Sequence, residues 1–301
     1  FIEVSTPILN KSTPEGARDF LVPSRINRSS FYALPQSPQI FKQLLMVSNF
    51  DKYYQIATCF RDEDLRANRQ PEFTQVDIEM SFVDEDEVKI KMENLIKYVF
   101  EKVKGINFSE RFLEMSYDDC MNFYGSDKPD LRFDMKIIDV KNSFLDSEFP
   151  IFKECIENGN EIRAIKAENS NFSRKQFDKF NEFVKNHFGA KALVYINYKD
   201  GQINSSISKF LTEENKIHLI DKYKLKNGDC LFIISGVRKI VLNALGALRL
   251  ELANHLELLK DNKEFKFLWV TNFPLYEYSE EDSRFYAAHH PFTMPKEEDI
   301  K

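Results

Sequence analysis

The chain has 301 residues, of which 43% are hydrophobic and 30% charged, and its formal net charge is −6. This composition is typical of a globular protein with a buried core, and it excludes a uniformly basic surface for nucleic acid. No run approaches the ~18 apolar residues that a membrane span needs, and residues 1–7 lack the regions of a signal peptide. We therefore expect a cytoplasmic protein with no membrane partner. Because the chain begins without Met in a strand-like segment, we also expect that it was trimmed upstream.

The first third of the chain predicts short strands followed by a helix. Two strands are predicted within residues 1–34, joined by a polar loop at 11–19. Ser37 as N-cap and Pro38 as the first helical residue predict a helix that continues to about residue 48, with an apolar face between residues 40 and 47. Another helix is predicted at residues 86–104, where Gly105 would end it.

Two alternating segments, residues 53–63 and 73–82, predict an antiparallel hairpin between those helices. Val76, Ile78, Met80 and Phe82 would share one face, and Gln75, Asp77 and Glu79 the other. We expect the apolar face to be buried and the polar face to carry Gln55, Ala57, Cys59, Arg61 and Glu63 as well.

After residue 132 the pattern changes to that of an α+β or α/β module. Strands are predicted at residues 161–165, 192–198 and 230–235, and helices at 173–188, 213–224 and 239–259. Strand character returns at residues 267–270. We therefore divide the chain into a first part (1–132), an inserted module (133–264) and a continuation of the first part (265–301).

The polar hairpin face is the strongest functional signal from the residues alone. Burying so many charges is costly unless each is paired or meets a ligand. A solvated sheet face is the simple explanation, but an arginine placed among acids favours the floor of a ligand site. On such a floor Arg61 would offer its planar guanidinium to a phosphate. Phe73 could stack on a base or simply belong to the core.

Several strings in the chain resemble one enzyme family. FRDE (residues 60–63) and FTQVDIE (73–79) resemble motif 2 of the class II aminoacyl-tRNA synthetases. TPEGARDFLVPSR (13–25), YALPQSPQ (32–39), GSDKPDLR (125–132) and HHPFT (289–293) resemble the bacterial aspartyl-tRNA synthetases within that class. The resemblance implies an α+β fold, with a helix-flanked antiparallel sheet interrupted by an inserted α/β domain at 133–264. That domain would be of the type shared with amidotransferases that act on mischarged tRNA.

The resemblance also implies a reaction and its partners. L-aspartate and ATP with Mg²⁺ would form an aspartyl-adenylate, and the aspartyl group would then be transferred to tRNA(Asp) by a homodimeric enzyme. The implied aspartate-binding residues are Glu15, Ser37, Gln39, Lys42, Arg61, Asp77 and His289. The implied ATP-binding residues are Arg61, Asp62, Glu63, Gln70 and Phe73. Gln75 and Glu79 would support this polar floor, and Arg61, Lys42 and Glu15 would contribute most to catalysis. From the residues alone, Lys42 could equally be a solvated helix lysine.

No metal site is expected within the chain itself. Adjacent histidines on an extended segment, His289 and His290, point to opposite sides, and no third ligand is near in sequence. The four scattered cysteines form no C-x-x-C pair and are expected to be reduced: Cys59, Cys120, Cys155 and Cys230. The family's third motif and its main magnesium ligands are expected beyond residue 301, so the chain alone is expected to be inactive.

Two other interpretations remain open at this point. One is a different class II enzyme that activates aspartate or asparagine. The other is a non-catalytic fragment or paralogue that acts as a tRNA-binding module.

Overall fold

A computed structural model describes residues 1–13, 17–64, 69–279, 282–289 and 293–300. The chain divides into two compact units, residues 1–109 and residues 110–301. None of the described helices is long and apolar enough to cross a membrane. All four cysteines are buried, and no disulfide joins any two of them.

The described residues of the first unit form five strands and two helices. They are β1 (Ile2–Glu3), β2 (Leu21–Pro23), β3 (Phe31–Ala33), α1 (Gln39–Val47), β4 (Lys52–Phe60), β5 (Glu72–Met80) and α2 (Glu85–Lys104). Strands β1, β4 and β5 form a three-stranded sheet in that order, with β1 parallel to β4 and β4 antiparallel to β5. Strands β2 and β3 form a separate antiparallel pair. The predicted hairpin is therefore confirmed.

The expectation about which hairpin face is buried was wrong. Ile56 and Val76 on the apolar face are 56% and 59% exposed, whereas Tyr53 and Cys59 on the opposite face are fully buried. Helix α1 lies against the polar face, and the Ser81 hydroxyl lies 3.1 Å from the sulfur of Met46 there. Alternation determines which residues share a face, but it does not determine which face a neighbouring element covers.

The helix boundaries follow their capping residues. Asp84 forms a capping box with Glu87 at the start of α2, and Gly105 ends that helix in the left-handed conformation at φ 67°. The predicted cap of α1 was wrong by one position, because Pro38 is the N-cap and no side chain caps the helix. Strand β5 ends at Met80, so Phe82, with φ 56°, is not part of it.

The second unit is built around a five-stranded sheet. Its elements are β6 (Leu113–Ser116), α3 (Tyr117–Tyr124), β7 (Ile137–Asp139), α4 (Pro150–Glu157), β8 (Glu161–Ala167), α5 (Arg174–Phe188), β9 (Val194–Lys199), β10 (Gln202–Ser205), α6 (Glu213–Tyr223), β11 (Cys230–Gly236), α7 (Arg238–His255), β12 (Leu268–Thr271), β13 (Tyr276–Ser279) and β14 (Arg284–Ala287). The order in the large sheet is β10-β9-β11-β8-β7. Strands β12 and β6 pair in parallel, and β13 pairs with β14 in an antiparallel hairpin.

Every pair in the five-stranded sheet is antiparallel, so the module is of the α+β rather than the α/β type. Strands β8 and β9, on either side of α5, run in the same direction, as strand–helix–strand order predicts. They are not neighbours, because β11 lies between them and runs antiparallel to both. Because β11 follows β9 at a distance in the sequence, the local sequence pattern does not predict that it lies between β8 and β9.

Helices cover both faces of this sheet. One core lies beneath α5 and α7 and includes Ile165, Phe232 and Leu245. The other lies on the opposite face and includes Ile162, Ile233 and Leu219 of α6. The sheet and all of these helices fall within residues 137–255. The predicted boundaries at 132/133 and 264/265 lie outside this range and remain predictions.

A buried arginine anchors the loop that leads into this sheet. Arg249 of α7 is 1% exposed and donates to the backbone carbonyls of Asp130, Phe133 and Met135 at 2.8–2.9 Å. Its guanidinium carbon also lies 3.8 Å from the centroid of the Phe133 ring. Burial lowers the pKa of Arg249. The loop therefore has a fixed path across α7.

Candidate functional site

The polar face of the β4–β5 hairpin brings most of the predicted site residues together. Its register places Gln55 opposite Asp77, Ala57 opposite Gln75 and Cys59 opposite Phe73. Strand β4 ends at Phe60, so Arg61 and Glu63 lie just beyond the strand rather than on it, which corrects the predicted strand end. Pairing continues for one more step, because the Arg61 amide donates to the carbonyl of Pro71 at 2.8 Å.

Lys42 is the cation at the centre of this face. Its ammonium lies 3.0 Å from Oδ1 of Asp77 and 3.4 Å from Oε2 of Glu79. The side chains of Lys42 and Asp77 are only 13% and 9% exposed, so this ion pair is poorly screened by water. The Lys42 side chain is thus largely withdrawn from solvent in an ion pair, unlike a solvated helix lysine, and its role in substrate binding remains a prediction.

The second carboxylate oxygen of Asp77 is buried and has no hydrogen-bond partner among the described residues. Leaving such an acceptor unpaired typically costs about 1–3 kcal/mol. The neighbouring Tyr53 is fully buried. Its burial, and next the charge and proximity of the Asp77 side chain, raise the pKa of the Tyr53 hydroxyl, so this group stays protonated. The hydroxyl donates to Oε1 of Gln55 at 2.7 Å rather than to Asp77. A buried carboxylate with a vacant acceptor suits a ligand that brings a donor, such as an ammonium group.

Arg61 and Phe73 are adjacent at the far end of the hairpin. The guanidinium carbon of Arg61 lies 5.0 Å from the centroid of the Phe73 ring, a cation–π distance. Phe73 is half-buried, with its ring available to a flat cation.

The other predicted ATP-binding residues lie near this end with weaker contacts. The amide of Asp62 donates to the carbonyl of Arg18 at 3.0 Å, and its carboxylate lies 3.8 Å from the Arg18 guanidinium. Glu63 pairs with Arg69 at 3.4 Å. Gln70 is exposed.

Four predicted aspartate-binding residues lie away from this ion pair or outside the described residues. Ser37 and Gln39 flank the start of α1, one turn before Lys42. Glu15 lies outside the described residues. His289 belongs to the second unit, where its ring packs edge-on against Phe273 at 5.2 Å between centroids. The roles of Glu15 and His289 therefore remain predictions.

The structure adds contacts that the sequence did not indicate. Gln36, 3% exposed, donates to the carbonyl of Ala17 at 2.8 Å and also to the Asp19 carboxylate, which fixes the strand-to-loop segment beside residues 14–16. Alternation had placed Gln55 and Cys59 on the polar face. No sequence signal gave their hydrogen-bond partners, because these depend on rotamers and on packing.

Metal ligands do not cluster in the described part of the chain. No group of three or more His, Cys, Asp or Glu side chains there is arranged to hold a metal ion. The carboxylates of Asp77 and Glu79 are instead engaged with Lys42. The described residues therefore do not form a magnesium site.

Several curated proteins are similar to the chain over its whole length. The chain is 57% identical over its whole length to an aspartate–tRNA ligase of Clostridium acetobutylicum, of which it covers 51%. Identity is 56% to the enzyme of the same name from Clostridium novyi and 57% to that from Clostridium tetani, each again covered over 51%. The chain thus spans about half the length of these relatives. The model of the family described as tRNA synthetases class II (D, K and N) matches residues 1–301, and the chain belongs to that family.

Proposed function

We propose that the protein carrying this chain ligates L-aspartate to tRNA(Asp) through an aspartyl-adenylate made from ATP. The observation that carries the proposal is the buried Lys42–Asp77 pair, beside which an oxygen of Asp77 has no partner. The similarity to aspartate–tRNA ligases along the whole chain supports it.

Aspartate is the amino acid whose charges complement this face. The Lys42 ammonium would meet the substrate β-carboxylate, and the vacant oxygen of Asp77 would accept from the α-ammonium. Asparagine offers a neutral amide to Lys42 and would leave the buried cation poorly compensated. This asymmetry favours aspartate over asparagine as substrate.

ATP would lie toward the Arg61 end of the hairpin. Arg61 would leave the Phe73 ring and bind the α-phosphate, and the freed ring would stack on the adenine. Asp62, Glu63 and Gln70 would line the nucleotide. Mg²⁺ is expected to accompany ATP, and the described residues do not form its site.

The reaction needs no protein nucleophile. An oxygen of the aspartate α-carboxylate attacks the α-phosphorus in line, and pyrophosphate leaves. A hydroxyl of the terminal tRNA ribose then attacks the adenylate carbonyl, and AMP leaves. The protein contributes alignment and charge stabilisation, with Arg61 on the phosphorus side and Lys42 on the aspartate side.

The proposal includes the setting of the enzyme. We expect a cytoplasmic homodimer, since the substrates are those of translation. We also expect residues 133–264 to form a domain inserted between catalytic segments 1–132 and 265–301.

Pyrophosphate exchange by the full-length protein tests the proposal. We expect exchange with aspartate and ATP, little exchange with asparagine, and aspartylation of tRNA(Asp) in a second assay. Exchange with asparagine but not aspartate would indicate a different class II enzyme. No exchange with any amino acid, together with retained tRNA binding, would indicate a non-catalytic tRNA-binding module.

A further inference from the structure

Two glutamines on the polar face have side-chain carbonyl oxygens that accept hydrogen bonds from hydroxyl or thiol groups. Oε1 of Gln55 accepts from the Tyr53 hydroxyl at 2.7 Å and from the Thr6 hydroxyl at 3.0 Å. Oε1 of Gln75 accepts from the thiol of Cys59 at 3.3 Å. In each case a hydroxyl or thiol donor lies on the carbonyl side of the amide, which leaves the amino side for another partner.

The Cys59 thiol determines which end of the Gln75 side-chain amide carries the oxygen and which carries the NH₂ group. A primary amide can be turned by 180° with almost no change in shape, so its hydrogen-bond partners determine which end points where. A second acceptor near the Cys59 sulfur, the carbonyl of Ala57, is farther away at 3.8 Å than Oε1 of Gln75 at 3.3 Å. Cys59 is fully buried, so water does not compete for its hydrogen.

The oriented amide leaves a donor on the site face. The NH₂ group of Gln75 has no hydrogen-bond partner among the described residues. Gln75 stands on β5 between Phe73, on the proposed ATP side, and Asp77, on the proposed aspartate side. Two residues along the same strand, Asp77 has its own unpartnered and buried oxygen. Neighbouring unpaired groups of opposite type indicate a ligand that carries both donors and acceptors.

We propose that Cys59 is a positioning residue, whose thiol holds the Gln75 amide so that its NH₂ group donates to an anionic oxygen of the substrates. This inference rests on the proposed function. Where the aspartate and ATP sides meet, that oxygen belongs either to the aspartate α-carboxylate or to the α-phosphate. Both offer the same chemistry, a charge-assisted acceptor for a neutral N–H.

Substitution of Cys59 in the full-length protein tests the role in binding. Cys59→Ala removes the donor and should raise KM by about 2- to 10-fold, the usual effect of one hydrogen bond, with little change in kcat. A rise for aspartate identifies the carboxylate as the ligand, and a rise for ATP identifies the phosphate. Cys59→Ser keeps a donor and should restore KM to within about twofold of the wild-type value. Cys120→Ala, at another fully buried thiol, is the matched control and should leave KM unchanged.

A double-mutant cycle separates positioning from packing. In a Gln75→Ala background, Cys59→Ala should have no further effect on KM, because its only route to the substrate has been removed. If the two substitutions raised KM independently, so that their effects multiplied in the double variant, the proposal would be overturned. An unchanged KM in Cys59→Ala, or a Cys59→Ser variant that does not restore KM, would overturn it as well.

An infrared measurement tests the hydrogen bond without relying on activity. The S–H stretching band that disappears in Cys59→Ala should move to higher frequency in Gln75→Ala, where the acceptor is gone. An unmoved band would refute the contact whatever the enzyme's substrate is. If wild-type protein shows no exchange with aspartate, the proposed function fails, and the band shift still decides whether Cys59 orients Gln75.

Discussion

At the scale of single residues, the pairing of Lys42 with two acids predicts how the site selects its substrate. Lys42→Met removes the buried cation that would face the β-carboxylate. Aspartate activation should fall, and the preference for aspartate over asparagine should narrow. A complete site can favour one substrate over another by about 10⁴–10⁵ when the wrong substrate leaves a buried polar group unpaired. A fall of several tens of fold in the ratio of aspartate to asparagine activation would therefore be measurable. Pyrophosphate exchange with each amino acid gives the ratio.

The same variant needs a check on folding. Removing Lys42 leaves Asp77 buried without its cation, which destabilises the hairpin independently of catalysis. Thermal denaturation beside the exchange assay distinguishes the two effects. A selectivity ratio equal to that of the wild type in a folded variant would show that Lys42 only neutralises Asp77 and Glu79.

Arg61 should act on the rate rather than on aspartate binding. Its guanidinium would stabilise the charge that develops at the α-phosphorus, and the loss of one such donor typically lowers the rate by about 10²–10³. We expect that loss in kcat for Arg61→Ala, with a nearly unchanged affinity for aspartate. Arg61→Lys keeps the charge but not the planar fork, so it should recover only part of the rate. An unchanged kcat in Arg61→Ala would show that Arg61 only packs against Phe73 and does not act in catalysis.

Arg249 should be the most destabilising arginine to remove. Its guanidinium serves three backbone carbonyls in a fully buried position, so Arg249→Ala leaves unpaired acceptors and a cavity. We expect a loss of roughly 3–5 kcal/mol in the free energy of unfolding of residues 110–301, measured by chemical denaturation.

Arg238 on the same helix is the control. Its side chain is 43% exposed and pairs with Glu161, so Arg238→Ala should cost no more than about 1 kcal/mol. Equal losses for the two variants would contradict this account.

Sequence patterns identify a residue when its position follows from the periodicity of a single strand or helix. Asp77 and Gln75 follow from alternation on one strand, whereas Lys42 was named through the family resemblance, because its helix position alone equally suited a solvated lysine. Arg249 follows from no such rule, because its partners lie more than 110 positions earlier and its burial results from tertiary packing. Cys59 was placed on the correct face, but its hydrogen bond to Gln75 could only be seen in three dimensions.

At the scale of elements, the close approach of α3 to α7 predicts an unusual response to a helical alanine. A Cβ added at Gly246 in α7 would lie 2.5 Å from the carbonyl oxygen of Gly125, which ends α3. Glycine to alanine inside a helix normally stabilises it by about 1 kcal/mol. At Gly246 the clash with backbone should reverse the sign and cost about 1–3 kcal/mol.

A glycine in open space provides the comparison. Gly189 ends α5 with φ 70°, and an added Cβ there meets nothing within 4 Å. Gly189→Ala should therefore cost only the left-handed strain, roughly 1 kcal/mol. Denaturation curves of both variants decide the matter, and a Gly246→Ala protein more stable than wild type would show that α3 and α7 can separate at no cost.

Element positions were predictable where caps and periodicity agreed, as for α2, α5 and α6. The order of strands in the large sheet was not, because β11 enters between β8 and β9 from a position some thirty residues after β9. The buried face of the β4–β5 hairpin was also beyond the sequence. Both results depend on which element packs where, and neither alternation nor propensity encodes that choice.

At the scale of the whole molecule, buried apolar side chains are distributed unevenly. Among the described residues of the first unit, the buried hydrophobic side chains are Ala33, Tyr53, Ala57 and Cys59. The second unit holds two cores, on the two faces of its five-stranded sheet. Since apolar burial is the dominant stabilising contribution, the second unit should be the more stable part of this chain.

Limited proteolysis of the 301-residue chain should therefore begin in the first unit. The hairpin exposes Ile56 and Val76, and local opening there costs few buried contacts. A fragment that spans approximately residues 133–264 should persist, because the sheet and the helices over its two faces, α4 to α7, lie within it. Mass spectrometry of the time course identifies the fragments. Arg249→Ala should shorten the lifetime of that fragment, and Arg238→Ala should not. Early digestion of residues 133–264 while residues 31–104 stay intact would show that the inserted segment is not an independent domain. It would also show that the first unit is more stable than the second, although the second buries more apolar side chains.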